Sequence, residues 1–217
     1  MKTDTQLQQD VIAELRWEPS VQSERIGVEV KDGVVTLTGQ VNSYSEKLYA
    51  ESATQRVAGV NALAVELNVE LPGSGQRTDA DIARSVRTGL EWSTAVPTGA
   101  IKAMVEGGWV TLTGEVDWQY QRRAAADSVR YLAGVTGVSD EIAIKPKVRV
   151  SAVVGDIEAA LKRSAVEDAK RISVSVQGAE VTLTGTVHSW TERDTATTSA
   201  WATPGVLNVV DKMTMSY

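Results

Sequence analysis

The pentapeptide Val-Thr-Leu-Thr-Gly occurs three times, at Val35–Gly39, Val110–Gly114 and Val181–Gly185. A leucine stands at one fixed distance before each copy (Leu15, Leu90, Leu161), and a Gly-Val pair at one fixed distance after it (Gly59-Val60, Gly134-Val135, Gly205-Val206). A register held without gaps over three such stretches is the mark of one small unit copied in tandem. The spacing falls from 75 residues (Gly39 to Gly114) to 71 (Gly114 to Gly185), so the change in length lies between units. Three units follow, over residues 1–71, 76–146 and 149–217. Each is near the lower size at which a domain folds alone, so the repeats are expected to pack against one another.

Each unit opens with an amphipathic helix. Leu7, Val11 and Leu15 share one face, as do Ile82, Val86 and Leu90, and then Val153, Ile157 and Leu161. Thr3, Thr78 and Ser151 are the candidate N-caps, and Pro19 and Pro97 lie beyond the first two helices. A hairpin comes next. An Asp32-Gly33 turn of two residues sets Lys31 opposite Val34, Val30 opposite Val35, Val28 opposite Leu37 and Ile26 opposite Gly39. All the apolar residues then fall on one face. Gly39, Gly114 and Gly185 project toward the core, where a helix backbone crosses closely or the strand bends.

A second helix is predicted over about Ser43–Val57 and its equivalents from Trp118 and Ser189, with Ala50, Ala125 and Ala196 at one inward position. Thr195, Thr197 and Thr198 weaken the third copy. Gly59, Gly134 and Gly205 serve as its C-terminal stops. The last strand carries Leu63, Leu67 and Val69, matched by Val138, Ile142 and Ile144, then by Val209, Met213 and Met215. The fold class is α/β of the α+β kind. Each small domain runs helix-strand-strand-helix-strand, with two helices on one face of a three-stranded mixed sheet. Leu71-Pro72-Gly73-Ser74-Gly75-Gln76 predicts a flexible connection, and Lys145-Pro146-Lys147 a stiffer one.

These residues together, in triplicate, resemble the BON domain, named for bacterial osmotically inducible and nodulation proteins. The likeness rests on the glycine within Val-Thr-Leu-Thr-Gly-Gln-Val (Val35–Val41), the helix after it, and the Gly-Val before the last strand. It implies non-enzymatic modules, often in tandem, tied to osmotic or envelope stress, located in the envelope, and engaging phospholipid surfaces. The family's polar residue in the last strand is matched by Asp140 and Asp211, whereas the first copy has Val65. A carboxylate there is expected to bond backbone at an irregular strand.

Charge and motifs narrow the function further. The net charge of −6 is uneven: residues 1–72 carry −5, with six basic and eleven acidic side chains, and residues 73–147 carry nine of each. Nonspecific nucleic-acid binding is excluded on that balance, and lipid binding needs a local patch. No apolar run is long enough to span a bilayer. With no hydrophobic leader after Met1, a cytoplasmic location is expected, the alternative being a periplasmic protein shown without its signal sequence. The chain has no cysteine and one histidine, His188, aligned with Asn42 and Asp117 where a turn or cap is expected. No metal set, nucleophile elbow, P-loop or dinucleotide fingerprint is present, so neither catalytic residues nor cofactors nor a metal are assigned. Carboxylate pairs such as Asp140-Glu141 and Glu14-Glu18 read as solvated charge.

Phe is absent and there are six tryptophans. Trp17 and Trp92 end the first helix of their units, where the third has Arg163, and are candidate lipid or partner contacts. Trp109 and Met104 fall on the open face of the second sheet, which favours packing on a neighbouring repeat or contact with lipid or a partner. Trp118, with Arg122 and Arg123, resembles an interfacial anchor, to which Arg84, Arg87 and Arg130 add charge where they converge. The leading function is therefore a non-catalytic, stress-associated module that binds phospholipid surfaces or envelope partners. The competing readings are a cytosolic protein-interaction scaffold, with a homo-oligomer among its forms, and a sensor of a small ligand or ion.

Overall fold

The computed structural model describes residues 2–145, 172–203 and 206–216. The helix expected on Val153, Ile157 and Leu161, its cap Ser151, the residues Pro146, Lys147 and Arg163, and Gly205 lie outside the described residues. Residues 1–116 and 121–143 form one compact unit, and residues 117–120 and 144–217 another.

In the first repeat, helix α1 (Asp4–Trp17) leads through a short 3-10 turn to strands β1 (Ile26–Lys31) and β2 (Val34–Val41), helix α2 (Tyr44–Arg56) and strand β3 (Ala62–Val69). Thr3 caps α1 reciprocally: its side chain accepts from the Gln6 N–H, and the Gln6 side chain accepts from the Thr3 N–H. The hairpin register is Lys31↔Val34, Val30↔Val35, Val28↔Leu37 and Ile26↔Gly39, as the Asp-Gly turn predicts. Asp32 and Gly33 have φ of 53° and 75°, the paired left-handed conformation of a type I′ turn. The Asp4 carboxylate holds that turn by accepting from the N–H groups of Asp32 and Gly33, at 2.8 and 3.1 Å. Strand β3 returns parallel to β2, because α2 is a crossover. The sheet order is β1-β2-β3, and Leu7, Val11 and Leu15 meet Val35, Leu37, Ala50 and Leu67 in one core. Each fully buried Leu or Val there contributes about 1.5–3 kcal/mol. The alanine at 50 lets α2 lie close on the sheet.

The second repeat follows the same path: α3 (Asp79–Trp92), β4 (Ile101–Glu106), β5 (Trp109–Val116), α4 (Gln119–Arg130) and β6 (Gly137–Ile144), in the sheet order β4-β5-β6. Thr78 caps α3, and Asp79 accepts from Gly107 and Gly108 as Asp4 does from its own turn. The described part of the third repeat comprises β7 (Ile172–Gln177), β8 (Glu180–Val187), the helix here numbered α5 (Trp190–Trp201) and β9 (Asn208–Met215), with β9 parallel to β8. Helix α5 forms despite its threonines, with the Thr195 and Thr197 hydroxyls donating back to the carbonyls of Thr191 and Arg193. Burial of Ala196 and Ala200 outweighs their low propensity.

Three expectations need correction. At Gly39 no helix crosses. An added Cβ would stand 2.2 Å from the carbonyl oxygen of Arg25, just before β1, and φ there is 124°. Gly114 repeats this against the Ala100 carbonyl. Gly59 and Gly134 have φ of 107° and 90°, but Gly59 is not the helix stop. Val57, with extended backbone, ends α2, and Gly59 turns the chain toward β3. Finally, the 71–76 segment, expected as a flexible connection, contains a turn. Gly73–Gly75 forms a 3-10 turn closed by the Gly75 N–H on the Pro72 carbonyl, and both repeats belong to one compact unit. Tyr49 of α2 stacks on Tyr131, just past α4, with ring centroids 6.3 Å apart. Tyr44 reaches the backbone of Val138 in β6.

Candidate functional site

A helix that buries Leu7, Val11 and Leu15 turns Trp17 about 200° away from Leu15, onto the opposite face. Trp17 is 84% exposed, and Trp92, in the same relation to Leu90, is also 84% exposed. The two indoles thus stand in water at one position of successive repeats. The chain around Trp17 is held firmly. Arg56 of α2 bridges Glu14 at 2.9 Å and Glu18 at 3.0 Å, fixing the end of α1. That hydrogen bond from Arg56 holds the Glu18 carboxyl below the ordinary carboxylate range.

The patch expected at Trp118, Arg122 and Arg123 is differently made. Trp118 is 37% exposed and stands just before α4. Arg123 is exposed, but Arg122 is half-buried and committed to its own repeat: its Nε donates to Asp140 Oδ2 at 2.8 Å. The other Asp140 oxygen accepts from the Ile142 N–H at 3.1 Å, so this carboxylate braces strand backbone against helix. The third repeat builds the same brace from Arg193, Asp211 and the Met213 N–H, with the Arg193 guanidinium 5.5 Å over the Trp190 ring. In the first repeat Lys47 stands at the arginine position and donates to the Leu67 carbonyl at 3.1 Å. Arg84, Arg87 and Arg130 pair within their own helices, with Asp81, Glu91 and Asp127. Thr78 and Arg84 hold the Asp81 carboxyl below its usual range.

Trp109 and Met104 do share the open face of the second sheet, Met104 lying opposite Thr111 and Glu106 opposite Trp109. Met104 is 61% exposed. Trp109 lies flat over Gly137, where an added Cβ would meet its ring at 2.3 Å, and its Nε1 donates to Ser139 Oγ. His188 is structural: its N–H donates to Glu192, and Nδ1 bonds the Ser216 carbonyl at 2.7 Å. Among the described residues no group of three His, Cys, Asp or Glu side chains is placed to hold a metal. None of their helices is long and apolar enough to cross a membrane.

Two features escaped the sequence. One is the tyrosine contact between the first two repeats. Burial raises the Tyr44 phenol pKa, and burial likewise raises that of the Glu51 carboxyl, which Lys47 partly offsets. The signal was present, since Tyr44 and Tyr49 have no tyrosine at the equivalent positions Gln119 and Ala124. The other is a groove beside α3, lined by Ala83, Arg87 and Leu90.

The BON domain family model matches residues 3–70, 78–146 and 151–217. Osmotically-inducible protein Y of Escherichia coli (strain K12) is 28% identical over 130 residues, covering 58% of this chain and 65% of that protein. The match thus spans less than two thirds of that relative's length. Two solved structures of CdsD, a structural protein of the type III secretion system of Chlamydia trachomatis, match at 13% identity with TM-scores of 0.26. The first covers 96% of this chain and 91% of that one.

Proposed function

Because this chain belongs to the BON domain family, we propose that it is a non-catalytic, stress-associated module that attaches to phospholipid surfaces. The observation that carries the reading is the pair Trp17 and Trp92, each 84% exposed at one structural position in successive repeats. Indoles favour the headgroup boundary, where the ring is half buried and its N–H stays wet. They supply attraction that a chain of net charge −6 lacks. The stress association rests on membership of the family and on the similarity to osmotically-inducible protein Y. The domains at work are proposed as residues 1–71, 76–146 and 149–217, without catalytic groups or cofactor. A cytoplasmic or an envelope-facing membrane surface serves this chemistry equally.

A second reading is favoured by Met104 and Trp109, whose open sheet face suits a protein partner or a second copy. Flotation with zwitterionic and with anionic vesicles, at low and moderate salt, separates the two. The expected result is flotation that falls about tenfold, equivalent to ~1.4 kcal/mol, in the Trp17→Ala/Trp92→Ala double variant and little in Trp118→Ala. Absence of flotation under every condition sinks the lipid reading and leaves the partner reading.

A further inference from the structure

The second repeat departs from the first along one line of contact. In the first, Gln8 on α1 donates from Nε2 to the Val28 carbonyl at 2.7 Å. That bond covers β1, an edge strand. Ile12, one turn along, is half-buried. The equivalent residues of the second repeat are Ala83 for Gln8, Arg87 for Ile12 and Ala103 for Val28. The capping amide is gone, a cation replaces an apolar side chain, and the strand residue is smaller. A groove of about 610 Å³ opens between α3, the 96–99 loop and β4. Leu90 at its floor is half-buried, whereas Leu15 in the first repeat is 1% exposed.

Among the described residues, no strand pairs with the outer edge of β4, which borders this groove. In an antiparallel ladder a residue turns both its N–H and C=O toward the partner strand or both away. The Gln8 bond shows that Val28 turns its groups away from β2. The two hairpins share one register, so Ile101, Ala103 and Val105 turn theirs away from β5. The charge is distinctive too. The groove is lined by Arg84, Arg87 and Lys102 and by one carboxylate, Glu91, in a chain of net charge −6, and the partners of the two arginines, Asp81 and Glu91, are exposed surface pairs that an acidic ligand can displace.

We propose that this groove takes an extended peptide bearing acidic side chains, which adds to β4 as a fourth strand of the second sheet. Its main chain pairs with Ile101, Ala103 and Val105. Alternate side chains, the carboxylates, enter the groove past Ala83 and Ala103 toward Arg84 and Arg87, and the apolar ones between them lie on the open face of the sheet. This partner is a peptide and not a membrane, so it does not depend on the tryptophan reading.

The test uses the full chain and a fluorescein-labelled peptide of alternating valine and glutamate, about six residues long, the span of an ordinary strand. A second probe is the same peptide N-methylated at alternate amides, which removes the donors facing β4. The variant Ala83→Gln/Ala103→Val restores the first repeat's residues, a filling this fold already accommodates, and circular dichroism and Tm verify that it folds. Saturable anisotropy binding to the unmodified protein is expected, weakened about tenfold or more (~1.4 kcal/mol) by the filling, by N-methylation and by raised salt. No saturable binding, or equal binding by the filled variant or the methylated peptide, overturns the proposal. Phosphatidylglycerol vesicles that bind only the unfilled protein, while the peptide binds neither form, assign the groove to lipid and also overturn it.

Discussion

A single methyl group separates glycine from alanine, and at position 39 the fold has no room for it. The added Cβ would sit 2.2 Å from the Arg25 carbonyl, which cannot retreat without dragging β1. The backbone conformation compounds the clash, φ being 124°. Gly39→Ala is therefore expected to destabilise the first repeat by about 3 kcal/mol or more. Gly107→Ala is the control, because it meets nothing within 4 Å and carries only the strain of φ 58°. It should cost about 1 kcal/mol, and urea melts of the two variants measure the contrast. Glu51 gives a pH-dependent case. Burial raises its folded pKa above the unfolded value, so the folded protein holds this proton more tightly. Its penalty is present at neutral pH and disappears as pH falls through the raised folded value. Glu51→Gln should raise Tm by a few degrees at pH 7 and by progressively less toward pH 4. An equal gain at both pH values would refute burial as the cause.

At the scale of elements, the arginine–aspartate brace shows how one strand position is solved twice. Asp140 accepts from Arg122 of α4 and from the Ile142 N–H, and removing it leaves both donors half-buried. Asp140→Ala should cost about 1–3 kcal/mol. The double change Arg122→Lys/Asp140→Val installs the first repeat's Lys47 and Val65 and should recover part of that loss. A double-mutant cycle in urea measures the coupling, and additive effects would refute it. The elements themselves were legible in the sequence wherever one period governed them. Leu7, Val11 and Leu15 mark a helix face, and the Asp32-Gly33 turn sets every pair of the first hairpin. The environment of Gly39 was not legible, because the oxygen that excludes a side chain belongs to Arg25, a residue with no pattern of its own. At the candidate site the exposure of Trp17 and Trp92 follows from helical phase, whereas the loss of Arg122 to Asp140 depends on tertiary distance.

Across the molecule, departures from the repeat identify what each copy does alone. Tyr44 and Tyr49 belong to the first repeat only and join it to Tyr131 and Val138 of the second. An aromatic pair of this kind is worth about 0.5–1.5 kcal/mol beyond its area. Tyr131→Ala should loosen that joint, so that limited proteolysis between Leu71 and Gln76 quickens while the strands of each repeat keep their hydrogen-exchange protection. Unchanged cleavage would show that the joint rests elsewhere. The three copies of Val-Thr-Leu-Thr-Gly carry a different consequence, for biogenesis. Each is the middle strand of its sheet, and any one matches the neighbours of another. Synthesis at roughly 5–20 residues per second separates successive copies by several seconds, while a hairpin closes in about 1–10 μs. Emerging in order, each strand finds its own partners before a duplicate exists. A chain diluted from denaturant meets all three at once, so refolding is expected to yield a share of exchanged strands that translation avoids, seen as a slow or lost fraction in refolding yield.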